Sequence, residues 1–206
     1  MKAMSLKSAV EDVLGQGRAL LKTVDGEAYT RREDGPYGAS LGAHYRHVLD
    51  HFMCLLNGLD AGRIDYDQRR RSPEIENSAA EALLVTEDLI ARFQSLPEEM
   101  FQRDCTVVYS VGYEENEAQA VTSNVAREVM FCVGHAIHHY AILKMLCMAM
   151  SITLPYEFGI APSTLKHTPL TSDRSTPFLT ASTSSSIVSS ASPTQTTSNS
   201  LRYSSG

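Results

Sequence analysis

Cysteine is scarce in this 206-residue chain: Cys54, Cys105, Cys132 and Cys147 stand far apart and form no CxxC pair. That pattern argues against a disulfide framework. Three of the four fall in apolar, helical-looking stretches, so they are expected to be free, buried thiols of a reducing compartment. Positive charge is short as well, with 18 Lys and Arg against 24 Asp and Glu and a net charge of −6. No global field exists to attract nucleic acid or an anionic membrane surface. An uninterrupted hydrophobic run is also missing, because the most apolar stretch, Val129 to Leu154, is broken by three histidines and Lys144. It reads as a helix of a soluble protein, not a membrane span. The N-terminus carries Glu11 and Asp12 where a signal peptide needs its apolar core, which points to the cytoplasm.

What is present divides in two. From about Thr168 onward more than half the residues are Ser or Thr, and only Asp173, Arg174 and Arg202 are charged. Such a segment cannot bury enough apolar surface to order itself, so residues 1–165 are expected to fold and residues 166–206 to form a disordered tail. A unit of this size needs neither disulfide nor metal merely to fold. Any metal would then serve chemistry.

Periodicity predicts four helices within that unit. The first runs from Ser5 to about Val24, where Asp25-Gly26 ends it and a polar surface connection follows. Ser40 caps the second, LGAHYRHVLDHFMCLLNGL, and another polar connection, DAGRIDYDQRRR, comes after. Ser72-Pro73 opens the third, which continues to about Leu96. The β-branched CTVVYSV and the partly alternating EAQAVTS predict a small hairpin or extended excursion. The fourth helix, about Ser123 to Ser151, is apolar nearly all round and reads as central. The expected fold is all-α: a four-helix bundle with one extended excursion before its last helix.

Six of the seven histidines fall in two clusters, His44, His47 and His51 on the second helix and His135, His138 and His139 on the fourth. Residues four apart share a helix face, so His47 and His51 project together, as do His135 and His139. Two helices can aim imidazoles into one site, and three converging nitrogens suit a divalent metal with positions left for water and substrate. Gly134 is expected to let the fourth helix pack closely on a neighbour. Ala136 stands where a zincin HExxH motif has its glutamate, and Cys132 and His44 stand where di-iron bundles have Glu three residues before His. A mononuclear site remains, with His44, His47 and His51 all open as the second-helix contribution.

The pattern SLGAHYRHVLDHF, followed about ninety residues later by GHAIHH in a long apolar helix, resembles the DinB-like (damage-inducible) superfamily of metal-binding four-helix bundles, which includes bacillithiol transferases. The resemblance covers most of residues 1–160 and extends to LPYEFGIAPSTL. It implies a Zn or Ni ion held by His47, His135 and His139, with RHVLD resembling the family's His-x-x-Asp stretch. It further implies a transferase or hydrolase acting on a small-molecule substrate, with a low-molecular-weight thiol as the class suggested. A homodimer is the open question of assembly. The alternative is a non-catalytic metal-binding or interaction bundle whose shell is closed by Cys132 or His51.

Four further residues are placed around the metal as supports or substrate contacts: Asp50, His51, Tyr140 and Arg69. Asp50 is expected to accept a hydrogen bond from an imidazole N–H. Arg69, with Arg70 and Arg71, is read either as an anion clamp or as a surface partner of Glu74 and Glu76. Tyr140 either lines the site or packs. Glu128 reads as a first-turn carboxylate favoured by the helix dipole, with a base as the rival role.

Overall fold

Each of the four long helices begins at a side-chain cap. Ser5 accepts from the Ser8 amide at 3.1 Å, Ser40 from Ala43 at 3.1 Å, Ser78 from Glu81 at 3.2 Å and Asn124 from Arg127 at 2.9 Å. Each bond satisfies one of the amides that a helix start leaves unpaired. The computed structural model describes residues 5–32, 38–114 and 118–167, all within one compact unit spanning Met1–Ser172. The expectation for the Ser/Thr-rich segment from Thr168 onward lies outside the described residues.

The order is α1 (Leu6–Thr23), α2 (Gly26–Thr30), α3 (Leu41–Gly58), β1 (Arg63–Asp65), α4 (Pro73–Asn77), α5 (Ala79–Ser95), a 3-10 turn (Glu98–Gln102), β2 (Asp104–Ser110), β3 (Ala118–Asn124), α6 (Val125–Ala149) and α7 (Pro162–His167). The protein is mostly helical with one small sheet. Helix α1 packs on α5 and α6, and α3 packs on the same two, so each long helix has two long neighbours. Between them lies the apolar core, with Val10, Leu14, Leu49, Phe52, Leu89, Phe93, Val129 and Leu143 fully enclosed. Each such side chain stabilises the fold by about 1.5–3 kcal/mol relative to exposure.

The sheet has the order β1-β2-β3, with β1 parallel to β2 and β2 antiparallel to β3. The hairpin was legible from alternation. Strand β1 was not, because it sits in what reads as a polar connection. Ile64 and Tyr66 are nonetheless buried there, two residues apart on one face, and they tie the chain to α3 before the loop that carries Arg69.

Three further expectations need correction. The third helix is two helices, because Ser78 adopts extended backbone (φ −139°, ψ 112°) and caps α5 itself. The connection after α1 contains a short helix, α2, whose Tyr29 is fully buried and donates to the Ile75 carbonyl at 2.8 Å. Lys166 and His167, assigned to the tail, lie in α7.

Helix α6 is not central. It buries one stripe at spacings of three and four, Val125, Val129, Cys132, Ala136, Tyr140, Leu143 and Cys147, and leaves Met130, Met145 and Met148 exposed. Among the described residues it is the one helix long and apolar enough, by length and composition, to cross a membrane. The mean apolarity of a helix does not say which face is packed, and here the outer face happens to be apolar too. A side chain at Gly134 would meet nothing within 4 Å, so this glycine makes no close approach. A close approach is made instead at Gly17 of α1, where an added Cβ would lie 2.3 Å from the Tyr45 hydroxyl and 2.4 Å from that of Tyr140.

Candidate metal centre

Helices α3 and α6 meet so that their histidines interleave. His47 Nε2 lies 3.0 Å from His135 Nε2, and His44 Nδ1 lies 3.3 Å from His139 Nδ1. Rings of His47 and His139 are 4.6 Å apart between centroids, and those of His135 and His139 are 4.5 Å apart. One nitrogen each from His47, His135 and His139 falls within 4.8 Å of the other two. The i,i+4 spacing puts His135 and His139 on one face of α6, and α3 supplies the third ring.

All three rings are half-buried, and burial followed by the charge of neighbouring imidazoles keeps them from taking a second proton. His47 is held down at about 2, His135 at about 3 and His139 at about 4, against an ordinary 6.5. At neutral pH they are neutral, and each keeps a lone pair, which is what ligation requires. Phe131 and Tyr66 wall one side, with Phe131 stacked 5.8 Å from the His135 ring and Tyr66 stacked 5.5 Å from His51.

His51 stands behind the three. It is buried, its Nδ1–H donates to the His47 carbonyl at 2.9 Å, and its Nε2 has no hydrogen-bond partner. Its ring centroid is 4.0 Å from that of His135. Arg69 also reaches the cluster, its Nη1 3.1 Å from His47 Nδ1. Its expected surface pairing with Glu74 or Glu76 is not made: Glu76 is taken by Arg46 at 3.0 Å and Arg32 at 3.8 Å, and Glu74 by the Ser72 hydroxyl.

Asp50 and Tyr140 are elsewhere. Asp50 is buried against Arg46, four residues earlier, whose guanidinium bonds it at 2.6 Å. A charged donor on the same helix takes Oδ2, Oδ1 has no hydrogen-bond partner, and no imidazole donates to either oxygen. Asp50 borders a recess of about 520 Å³ with Cys54, Arg63 and Arg70, and no histidine lines it. Tyr140 faces the core, fully buried, stacked on Tyr45 at 6.3 Å and on Phe158 at 5.0 Å. It follows His139 in sequence, and about 100° of helix rotation sends the two side chains to opposite sides of the seam. His138 is exposed beside His139, and His167 is on α7, exposed.

Glu128 is buried, with its oxygens accepting from Tyr66 (2.9 Å), Ser123 (2.6 Å) and Arg127 (2.9 Å). A carboxylate so committed holds Tyr66, the residue after β1, and Ser123 of β3 to the start of α6 and is not presented to a substrate. Cys132 donates to the His51 carbonyl at 3.7 Å, and burial pushes its thiol up to about 12, so it stays protonated. The residue that periodicity missed is Tyr66, which links Glu128, Cys132 and His51; the Ile64-x-Tyr66 alternation inside the polar stretch was its only signal.

Comparison with known proteins gives the same frame. A solved structure of a DinB-like protein from Bacillus subtilis matches with a TM-score of 0.57 at 18% identity, covering 74% of this chain and 97% of that one, a likeness of fold. A Rhizopus delemar protein named FK506-binding protein 5 is 33% identical over 108 residues, so the match spans 50% of this chain but only 27% of that protein's length. The family model described as the DinB superfamily matches residues 10–143, from the first turns of α1 past all three α6 histidines. The chain belongs to the DinB superfamily.

Proposed function

We propose that this protein is a divalent-metal-dependent enzyme built on a DinB-type four-helix bundle of α1, α3, α5 and α6, with His47, His135 and His139 as the ligands. The observation that carries the reading is the convergence of three neutral imidazole nitrogens, from two helices, within 4.8 Å of one another. The donor set fits Zn or Ni, both of which accept imidazole nitrogen readily. A further buried nitrogen without a partner, His51 Nε2, lies beside the set. Bound there, the cation supplies a Lewis acid that makes a thiol or water nucleophilic near neutral pH.

The chain's own residues define the rest. No carboxylate among those described is hydrogen-bonded to the histidines as a general base would be: Glu128 accepts from Tyr66, Ser123 and Arg127, and Asp50 pairs with Arg46 through Oδ2. Phe131 and Tyr66 give the site an apolar wall suited to the body of a small molecule. Arg69 gives it a fixed positive charge. This supports thiol S-transfer or hydrolysis on a small anionic substrate in the cytoplasm, with the folded unit ending near residue 165 and the Ser/Thr-rich tail outside the chemistry. Homodimerisation belongs to the same proposal.

A second reading is favoured by His51. If its Nε2 joins the other three, four nitrogens close the shell and the ion pins α3 to α6 without catalysis.

Elemental analysis of the purified protein, with thiol-transfer and hydrolysis screens before and after metal removal, tests both. One equivalent of Zn or Ni with metal-dependent turnover is expected. His47→Ala, His135→Ala and His139→Ala should each lose the metal, while His138→Ala and His167→Ala should retain it. Full retention in both His135→Ala and His139→Ala would sink the assignment. A stoichiometric ion with no turnover, released by His51→Ala, would select the closed shell.

A further inference from the structure

One contact at the histidine cluster conflicts with ligation. Arg69 Nη1 lies 3.1 Å from His47 Nδ1. A guanidinium has N–H donors and no acceptor, so Arg69 donates and Nδ1 accepts. A neutral imidazole carries one proton, which therefore sits on His47 Nε2 and is directed at His135 Nε2, 3.0 Å away. This is the wrong tautomer for a ligand. A histidine that gives Nε2 to a cation keeps its proton on Nδ1 and donates it to a carboxylate, carbonyl or water. With Arg69 in place, that N–H would face another N–H, and a fixed positive charge would stand beside the incoming cation.

Arg69 is also lightly held. Its Nε is buried with no hydrogen-bond partner. No nearby carboxylate is hydrogen-bonded to it: Asp50 bonds Arg46 through Oδ2 and leaves Oδ1 without a hydrogen-bond partner, Asp67 takes the Ser110 amide and hydroxyl, and Asp65 takes Gln68 and the Asp67 amide. Arg69 stands in the irregular segment between β1 and α4, where Arg71 has φ 51°, so it can leave His47 without moving a helix.

We infer that Arg69 is a latch that holds His47 in its non-ligating tautomer until an oxyanion of the substrate, a carboxylate or a tetrahedral oxyanion such as a phosphoryl or sulfuryl group, draws the guanidinium away, so that oxyanion and divalent cation bind cooperatively. The inference rests on the reading of His47 as a ligand. A planar fork of five N–H donors, one of them on His47 Nδ1 and the Nε–H unpaired, is suited to bidentate capture of such a group. Because coupling is reciprocal, the cation must raise affinity for the oxyanion by the factor that the oxyanion raises affinity for the cation.

The test is a Co²⁺ titration of the full chain, followed by visible absorbance at constant ionic strength, with acetate, with sulfate or with neither. Either anion should raise the affinity of the unaltered protein on the order of tenfold, and the larger response assigns the carboxylate or the tetrahedral class. Arg69→Ala should bind Co²⁺ as tightly without anion as the unaltered protein does with it, and should lose the anion response. ¹⁵N NMR of the metal-free protein should show His47 protonated on Nε2, with Arg69→Ala shifting that proton towards Nδ1. Removal of a distant repulsive charge alone would leave the tautomer unchanged. An anion response that survives in Arg69→Ala, or a metal-free His47 protonated on Nδ1, overturns the latch. If His47→Ala binds Co²⁺ as the unaltered protein does, the ligand reading itself fails; if it loses Co²⁺ while Arg69→Ala behaves as unaltered, only the latch fails.

Discussion

The two sides of the α3–α6 seam are built from neighbouring residues and behave oppositely. His44 and Tyr45 are adjacent on α3, and His139 and Tyr140 are adjacent on α6. On the inner side Tyr45 and Tyr140 are fully buried and stacked, with Tyr45 bonded to Thr86 at 2.9 Å. On the outer side the imidazoles of His44, His47, His135 and His139 are half-buried and aim nitrogens at one another, with the buried His51 Nε2 left unpaired. The inner layer holds the helices together. The outer layer bridges the same helices through imidazole contacts and gathers their nitrogens in one place.

The largest effect that would sharpen this contrast is on the inner side. Tyr140→Ala empties a fully buried volume and should cost about 3–5 kcal/mol in urea unfolding. If it costs no more than a surface substitution, the inner layer is not the core of the seam. On the outer side, His135→Ala should lower Zn²⁺ or Ni²⁺ affinity by more than about a hundredfold, exceeding the usual cost of losing a supporting residue. Its urea midpoint in the absence of metal should change little, and a collapse there would erase the distinction between the sides.

Acidification offers a milder probe. His135 and His139 sit at about 3 and about 4 when folded, against an ordinary 6.5. Below pH 6.5 the unfolded chain takes up protons that the folded chain refuses, so metal-free stability, full above about pH 6.5, falls as the pH drops towards 4. The urea midpoint measured across that window should decline, and His139→Ala should flatten the decline. A pH-independent midpoint would mean the rings are not held neutral. The smallest effect is expected at Gly134→Ala, where the added methyl meets nothing within 4 Å. Thermal unfolding should show no loss, with a gain of up to about 0.5–1 kcal/mol from helix propensity.

Much of this was legible because it is local. The cap at Ser40 announces α3, the starts of α1 and α6 fall within a residue or two of Ser5 and Ser123, and the i,i+4 histidine pairs announce a shared face. The break at Ser78 was hidden because Pro73 and the apolar run behind it fit one helix as well as two. Asp50 was misread for a similar reason: position on a helix gives direction, but Arg46 on the next turn decides which donor a carboxylate meets. The exposed face of α6 was invisible because Met130, Met145 and Met148 look like core in one dimension. Arg69 could be named as a site residue but not given a partner, since its approach to His47 depends on β1, a strand of three residues without a periodic signal.

After α6 the chain turns back, and Phe158 stacks on Tyr140 at 5.0 Å while Gly159, with φ 70°, lies so close to the Tyr140–Ala141 backbone that a Cβ would come within 2.6 Å of it. The Gly159 amide also donates to Gln16 of α1 at 3.1 Å. The strap therefore acts as an indexing pin for the azimuth of α6. Turning the helix by a single residue would swing His135 and His139 through about 100°, out of reach of His47, and the strap blocks that rotation from the opposite side. Segment 152–160 carries no histidine, yet it sets the angle at which two of them point.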